Sequence, residues 1–189
     1  MKHLYVLFIF IIIHFNIDAQ NVNITTSLGE IIVRLEPEKA PETVRNFLKY
    51  VGGDHYRGGS FFRTVQSDNQ PDSPVKITVI QAGVHPWKQN FLFDPIPLER
   101  TGKTGINHNN GTISMARDKP DSAQESFFIC IGDQPELDFG GKRNQDGQGF
   151  AAFGQVISGM DVVQKINESN AEGQAIMPPI LILNMVVVE

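Results

Sequence analysis

Most of the chain after its N-terminal segment consists of short runs in which apolar and polar residues alternate, and these runs are rich in Val, Ile, Thr and Phe. Because successive side chains of a strand point to opposite faces of a sheet, this alternation predicts β-strands. The predicted strands are 22–26, 30–35, 60–65, 77–83, 112–117, 126–131, 151–157 and 180–187. Ser27-Leu28-Gly29 separates the first two strands and predicts a hairpin turn.

Two other segments have the 3.6-residue period of a helix. Pro41 suits the first helical position of one segment, and Gly52 and Gly53 end it. Its apolar stripe is formed by Val44, Phe47, Leu48 and Val51. The other helix is predicted to follow Ser158 as its N-cap, with an apolar stripe at Met160, Val163 and Ile166.

The number of strands relative to helices limits the architecture. Many short strands with only two helices favour a closed or sandwiched antiparallel sheet. A parallel α/β fold is disfavoured, because its strands must alternate with crossover helices. Two long loops, 66–76 and 84–111, and a glycine-rich surface loop at 139–149 connect the predicted elements. Nothing in the pattern indicates a second domain.

The N-terminal segment has a different pattern. Lys2 and His3 precede an apolar run at 4–15, and Ala19 offers a small residue suited to cleavage. This three-part layout is typical of a secretory signal peptide, and the run is shorter than the roughly 20 residues of a membrane-spanning helix. We therefore expect a signal peptide at 1–19, a folded domain at 20–189, and export to the periplasm or the exterior. An uncleaved N-terminal anchor is the alternative.

Composition and motifs exclude several function classes. The chain is 41% hydrophobic and 20% charged, which is typical of a globular domain, and its net charge of −5 argues against binding to nucleic acid. The histidines do not pair at the spacing of metal ligands, and neither a phosphate-binding loop nor a Gly-x-Ser-x-Gly motif occurs. The single cysteine, Cys130, lies in an apolar run and is predicted to be buried. We expect neither a metal nor a cofactor.

A set of segments resembles the cyclophilin family, in the order in which that family has them. The segments are APETVRNFL at 40–48, FFR at 61–63, IQAG at 80–83, GTISMAR at 111–117, SFFI at 126–129 and FGQVISGMDVV at 153–163. The last is the most specific of them. Because the segments run from about residue 22 to residue 187, the resemblance covers nearly the whole predicted domain.

The resemblance implies a closed eight-stranded antiparallel β-barrel capped by two α-helices, and a peptidyl-prolyl cis–trans isomerase. It implies that Arg63 is the catalytic residue and that Gln81 holds the backbone of the substrate. It also implies that the proline ring is bound by Phe128 and Leu137, with Ala116 beside them. Arg117, which follows Ala116 in the same segment, is also implied to bind substrate. Without the resemblance, a strand arginine such as Arg63 is usually a surface residue, and a strand phenylalanine such as Phe128 is usually core.

Several positions depart from the pattern of the family. Phe62 stands in place of histidine, Thr78 and Val79 in place of an aromatic-methionine pair, Ser126 in place of a glutamine, and Phe150 in place of a histidine or tyrosine. By position, Thr78, Val79, Ser126 and Phe150 are still predicted to bind substrate. Loss of an aromatic pairing costs about 0.5–1.5 kcal/mol beyond the buried area, so proline binding is expected to be weaker.

Two functional hypotheses follow. The first is an exported, monomeric isomerase that rotates X-Pro bonds in proline-containing polypeptides and assists the folding of exported proteins. The second is a module of the same fold that binds proline-containing segments with little catalysis. Arg63 favours the first hypothesis, and the altered pocket favours the second.

Overall fold

The structure is a computed structural model that describes residues 20–188. The predicted signal peptide at 1–19 lies outside the described residues. The strands are β1 (Asn21–Thr26), β2 (Gly29–Leu35), β3 (Ser60–Val65), β4 (Val79–Gly83), β5 (Thr112–Met115), β6 (Phe127–Cys130), β7 (Ala151–Ser158), β8 (Ala171–Glu172) and β9 (Ala175–Val188). The helices are α1 (Pro41–Gly52), α2 (Thr101–Thr104) and α3 (Met160–Asn167), with short 3-10 turns at Pro86–Phe91 and Pro135–Leu137.

The sheet closes on itself. Its strands are ordered β1-β2-β7-β5-β6-β4-β3-β9, and an additional β1–β9 pairing completes the ring. All of the pairings are antiparallel, while β8 only forms a short hairpin with β9. The predicted eight-stranded antiparallel barrel is therefore confirmed. Closure satisfies the backbone groups that the edges of an open sheet would leave unpaired.

Both predicted helices pack their apolar stripes on the barrel. In α1 the residues Val44, Phe47 and Val51 are buried, and in α3 Val163 and Ile166 are buried. These side chains join the barrel interior in one hydrophobic core. Phe47 lies at its centre, with ring centroids 5.1–5.6 Å from those of Phe153, Tyr56 and Phe127.

The start of α3 corrects the prediction that Ser158 is the N-cap. Ser158 is the last residue of β7, and Gly159 is the N-cap with a φ of 91°. A Cβ atom at Gly159 would overlap the carbonyl oxygen of Glu30. The chain thus turns from strand into helix at a left-handed residue in tight contact with β2, where a glycine is favoured.

The predicted bounds of the other elements change only at their ends. The predicted strand 77–83 is hydrogen-bonded from Val79 onward, and the last predicted strand begins earlier, at Ala175. The helices also include α2, which the sequence pattern had not indicated. Cys130 is fully buried as predicted, and burial, followed by the nearby charge of Asp138, raises the pKa of its thiol.

Candidate active site

A cavity of about 400 Å³ opens on the outside of the barrel beside β3, β4 and β6. Its walls include Arg63 from β3, Gln81 from β4 and Phe128 from β6. The loops at 116–126 and 137–150 complete it. The cavity therefore combines a cation, a carboxamide and an aromatic ring.

A β-bulge in β3 places Arg63 in this cavity. The register against β4 shifts between Phe61, which pairs with Ala82, and Arg63, which pairs with Gln81. Strict alternation would put Arg63 on the same face as Phe61, which is completely buried in the core. The extra residue instead turns Arg63 outward, as well as Phe62, which is 39% exposed.

The guanidinium of Arg63 is held in one orientation. Its Nε and Nη2 both donate to Oε1 of Gln174, at 2.9 and 2.6 Å, and its Nη1 donates to Oε1 of Gln81 at 2.9 Å. Gln174 precedes β9 and is itself fixed by donating to the carbonyl oxygen of Asn69 at 3.0 Å. Burial lowers the pKa of Arg63, but an arginine remains protonated at physiological pH. The site thus contains an oriented cation with neutral partners.

A chain of hydrogen bonds crosses from β3 to β6. Nε2 of Gln81 donates to Oγ of Ser126 at 3.0 Å, and that hydroxyl donates to the carbonyl oxygen of Ala82 at 3.0 Å. Because Gln81 accepts from Arg63 and donates to Ser126, its amide orientation is determined on both sides. The two predicted substrate-holding residues, Gln81 and Ser126, are therefore directly connected.

An apolar depression forms the next part of the cavity. Phe128, Leu137 and Val79 are buried there with Val65 and Ile77, and Ala116 and Phe150 pack against them. The rings of Phe128 and Phe150 meet edge to face, with centroids 5.3 Å apart. A concave apolar surface of this kind suits an uncharged ring such as that of proline.

Two polar groups fix the aromatic walls. The guanidinium of Arg117 lies 5.1 Å from the centroid of Phe150 and forms a bidentate pair with Asp146, at 2.8 and 2.9 Å. Below the cavity, the buried His108 stacks on Phe128 with ring centroids 5.9 Å apart. His108 is held between Asp138 Oδ1 at 2.7 Å and Ser114 Oγ at 2.9 Å.

All of the predicted site residues except Thr78 line the cavity. Thr78 does not line it; its backbone N–H donates to Oε1 of Gln134 at 3.2 Å, and its carbonyl oxygen accepts from the N–H of Ile131 at 3.0 Å. The physical reason is the period of two in an extended chain, which places Ile77, Val79 and Gln81 together on the side of the cavity. Ile77, and not Thr78, therefore forms the wall next to Val79.

Among the charged and polar residues of the site that sequence reasoning missed are Gln174, Arg143 and Glu125. Gln174 was missed because its loop is far from Arg63 in sequence. Arg143 lies in the glycine-rich loop, and burial, followed by the positive charge of Arg63, lowers its pKa. Glu125 lines the cavity immediately before Ser126. Its neighbours Gln124 and Ser126 are also polar, so the sequence offered no signal that its side chain is buried.

The long loop at 66–76 is attached to the cavity wall. Gln70 is buried and donates to the carbonyl oxygens of Gln66 at 2.6 Å and Ile77 at 2.8 Å, so it closes the loop on itself. Nη1 of Arg143 then donates to Gln70, Ser73 and Val75 at 2.6–2.8 Å. Arg143 therefore connects this loop to the glycine-rich loop on the rim of the cavity.

Residues 20–188 contain neither a cluster of metal ligands nor a membrane-spanning helix. Within that range, no three His, Cys, Asp or Glu side chains come together as a possible metal site. No helix in the same range has the length and apolar character needed to cross a membrane.

Comparison with known proteins bears on the family of the chain. Residues 21–187 match the model of the family described as cyclophilin type peptidyl-prolyl cis-trans isomerase/CLD. The chain is 35% identical over 147 residues to peptidyl-prolyl cis-trans isomerase B of Escherichia coli, covering 77% of this chain and 82% of that protein. It is 34% identical over 155 residues to peptidyl-prolyl cis-trans isomerase A of Dickeya dadantii, covering 82% and 74%.

A solved structure gives the same result for the fold. A cyclophilin type peptidyl-prolyl cis-trans isomerase of Cryptosporidium parvum superposes with a TM-score of 0.71 at 20% identity, covering 90% of this chain and 98% of that one. The match of the family model over nearly all of the described residues, together with the two bacterial relatives, establishes the relationship. The chain belongs to the family of cyclophilin-type peptidyl-prolyl cis–trans isomerases.

Proposed function

We propose that the chain catalyses rotation about X-Pro peptide bonds in exported proteins and thereby assists their folding. One observation carries the catalytic part: the guanidinium of Arg63 is oriented by Gln81 and Gln174 in the same cavity as the apolar surface of Phe128 and Leu137. A proline ring bound on that surface has its nitrogen near a fixed hydrogen-bond donor.

The chemistry needs no covalent intermediate. Rotation about a peptide C–N bond is opposed by amide resonance, with a barrier of about 18–20 kcal/mol. As the bond twists, the lone pair localises on the prolyl nitrogen, which then becomes a hydrogen-bond acceptor. A donor placed there by Arg63 lowers the barrier, because its interaction is stronger in the twisted state than in either planar isomer.

The remaining groups bind and orient the substrate. Gln81 and Ser126 present their polar side chains toward the cavity, where they suit the N–H and C=O groups of an extended peptide. Phe128, Phe150 and Leu137 hold the ring. Uncatalysed X-Pro isomerisation takes tens to hundreds of seconds and limits the folding of many chains. An isomerase in the compartment of folding exported proteins would remove that limit.

Arg63→Ala tests the catalytic role. We expect isomerisation of short X-Pro peptides, followed by NMR exchange or by a protease-coupled assay, to fall about ten- to a thousandfold, the range for one lost transition-state contact. Arg63→Lys should restore little, because an ammonium lacks the planar fork. Arg45→Ala, an exposed arginine of α1 that pairs with Glu42, is the control. Equal rates for wild type and Arg63→Ala would show the assignment to be wrong.

The second candidate is a binding module with little catalysis. The observation that favours it is the aliphatic wall formed by Ile77 and Val79, with Thr78 and Val79 at the positions that the resemblance assigns to an aromatic–methionine pair. In that case, peptides would bind in the cavity, but the wild-type protein would not accelerate isomerisation. The same peptides in the same NMR experiment distinguish the two functions, because chemical-shift changes report binding and exchange reports catalysis.

The proposal of export rests on the N-terminal pattern. The basic Lys2 and His3, the apolar run at 4–15 and the small Ala19 support processing by a signal peptidase. We expect the protein isolated from its native host to begin near Gln20 in intact-mass measurement. An exported protein that retains Met1 would instead indicate the uncleaved anchor.

A further inference from the structure

The cavity that contains Arg63 also has an acidic part. Glu125 and Asp118 line it together with Ser122, Gln124 and Leu92. Asp118 is exposed to solvent, whereas Glu125 is only 7% exposed. A carboxylate that is almost completely buried needs a physical reason, because removing its charge from water costs several kcal/mol unless a partner compensates.

Within residues 20–188, Glu125 has one polar partner for its side chain. Its Oε2 accepts from the backbone N–H of Val84 at 3.2 Å, and it forms no ion pair with a described Lys, Arg or His. In the same range, Oδ1 of Asn23 is the one fully buried side-chain nitrogen or oxygen atom without a hydrogen bond. Oε1 of Glu125, which has no partner either, is therefore not fully buried, and the residue lines the cavity.

The groups around Glu125 do not neutralise it. Tyr56, which follows α1, donates its hydroxyl to the backbone carbonyl of Glu125 at 2.6 Å, and Tyr50 of α1 lies near it. Both are neutral at physiological pH. Asp118, on the same cavity, has the same sign of charge as an ionised Glu125. The guanidinium of Arg63 also lines the cavity but forms no ion pair with Glu125, and those of Arg117 and Arg143 are hydrogen-bonded to Asp146 and to the loop at 66–76. Burial raises the pKa of Glu125 from 4.5 to about 7, so the carboxyl group ionises near neutral pH.

We propose that Glu125 is a specificity-determining residue that selects substrates with a lysine or arginine close to the isomerised proline. An ammonium or guanidinium that reaches Oε1 supplies the missing counter-charge at a site already shielded from water. Glu125 is three residues from Phe128, a separation of at most about 10 Å, so the cation lies within about three residues of the proline. This inference rests on the proposed function.

The selectivity has a defined pH dependence. Below its pKa, Glu125 is neutral and has little preference for a cation. Above its pKa it is ionised, while lysine remains charged because its pKa is about 10.4. The preference for a cationic substrate should therefore be small at pH 6 and large at pH 8.

Peptide pairs with lysine or norleucine test the proposal. The two side chains have similar apolar chains, but only lysine carries a charge. The substituted position is two or three residues before or after the proline. At pH 8 we expect the lysine peptide to exceed its norleucine match about tenfold in kcat/KM for at least one position, the value of a close charge pair. Glu125→Gln, which keeps an acceptor for Val84, should reduce that ratio to about one. Asp118→Asn should leave most of it.

Each outcome decides the proposal. A ratio near one at every position in the wild type, or a ratio unchanged in Glu125→Gln, overturns it. If Glu125→Gln does not fold, the wild-type protein alone decides the proposal. Its lysine-to-norleucine ratio of kcat/KM must then be larger at pH 8 than at pH 6, and equal ratios at the two pH values overturn it. If no peptide is isomerised, the proposed catalysis fails, and the ratio of peptide Kd values from NMR titration still tests the charge selectivity separately.

Discussion

Phe128 shows how one residue serves both the core and the site. It is 5% exposed, packs with Cys130 and Leu137 in the smaller hydrophobic cluster, and contacts the rings of both His108 and Phe150. Both interpretations left open by the sequence, core residue and wall of the pocket, therefore apply at once. The smaller cluster forms the floor of the cavity, so any loss of packing there also changes the binding surface.

Phe128→Ala should therefore have two effects. We expect the free energy of unfolding to fall by about 3 kcal/mol in chemical denaturation, because a buried aromatic ring is lost. We also expect KM for X-Pro peptides to rise. Phe153→Ala, in the main core away from the cavity, is the matched control: it should destabilise the fold similarly but leave KM unchanged. A KM that responds equally to both variants would contradict a specific contact with substrate.

At the scale of elements, the site depends on a bulge and a hairpin. The bulge in β3 turns Arg63 outward, and the β8–β9 hairpin supplies Gln174 to hold it. Neither element is long, but the bulge determines that Arg63 lies in the cavity, and the hairpin provides the side chain that orients its guanidinium. Positioning by Gln174 is distinct from catalysis, because its side-chain oxygen is already used by Arg63 at Nε and Nη2.

Gln174→Leu tests this positioning. We expect kcat to fall about tenfold, since a mobile guanidinium spends less time in the productive orientation, while peptide Kd changes little. Gln145→Leu, an exposed glutamine of the glycine-rich loop, should leave both constants unchanged. A rise in Kd without a fall in kcat would indicate that Gln174 contacts the substrate instead.

At the scale of the whole molecule, the burial of Glu125 should lower the free energy of unfolding when its carboxyl group is ionised. Because its folded pKa of about 7 exceeds its ordinary value of 4.5, the folded state binds more protons than the unfolded state between these two values. Stability must then decrease as the pH rises through this window, by about 3 kcal/mol at most. The contribution is fully present below pH 4.5 and is lost above pH 7.

The comparison of wild type with Glu125→Gln isolates this effect. The neutral variant should lack the decrease, so the difference in unfolding free energy between variant and wild type should grow from pH 5 to pH 8. Other titrating groups contribute equally to both proteins and cancel. A difference that is constant with pH would show that burial does not perturb this carboxyl group.

The sequence by itself determined the fold and predicted most of the residues that line the candidate site. Alternation with a period of two located the eight barrel strands, and the stripe that begins at Val44 located α1, because these patterns follow from which side chains must leave water. The ordered segments that resemble cyclophilins then predicted a site at Arg63, Gln81 and Phe128, which the structure brings together in one cavity. Such features are local in the chain or fixed by a motif.

The tertiary structure alone decided which side chains meet. Gln174 reaches Arg63 across more than a hundred intervening residues, and no local pattern encodes that contact. The resemblance placed Thr78 in the site by position. Because side chains alternate along an extended chain, Ile77 lines the cavity with Val79, and Thr78 does not. Glu125 looked like an ordinary charged residue, and only the closure of the barrel and its loops revealed that its carboxyl group is buried beside the cavity. Contacts of this kind arise from closing long loops, so the geometry of the whole molecule determines them.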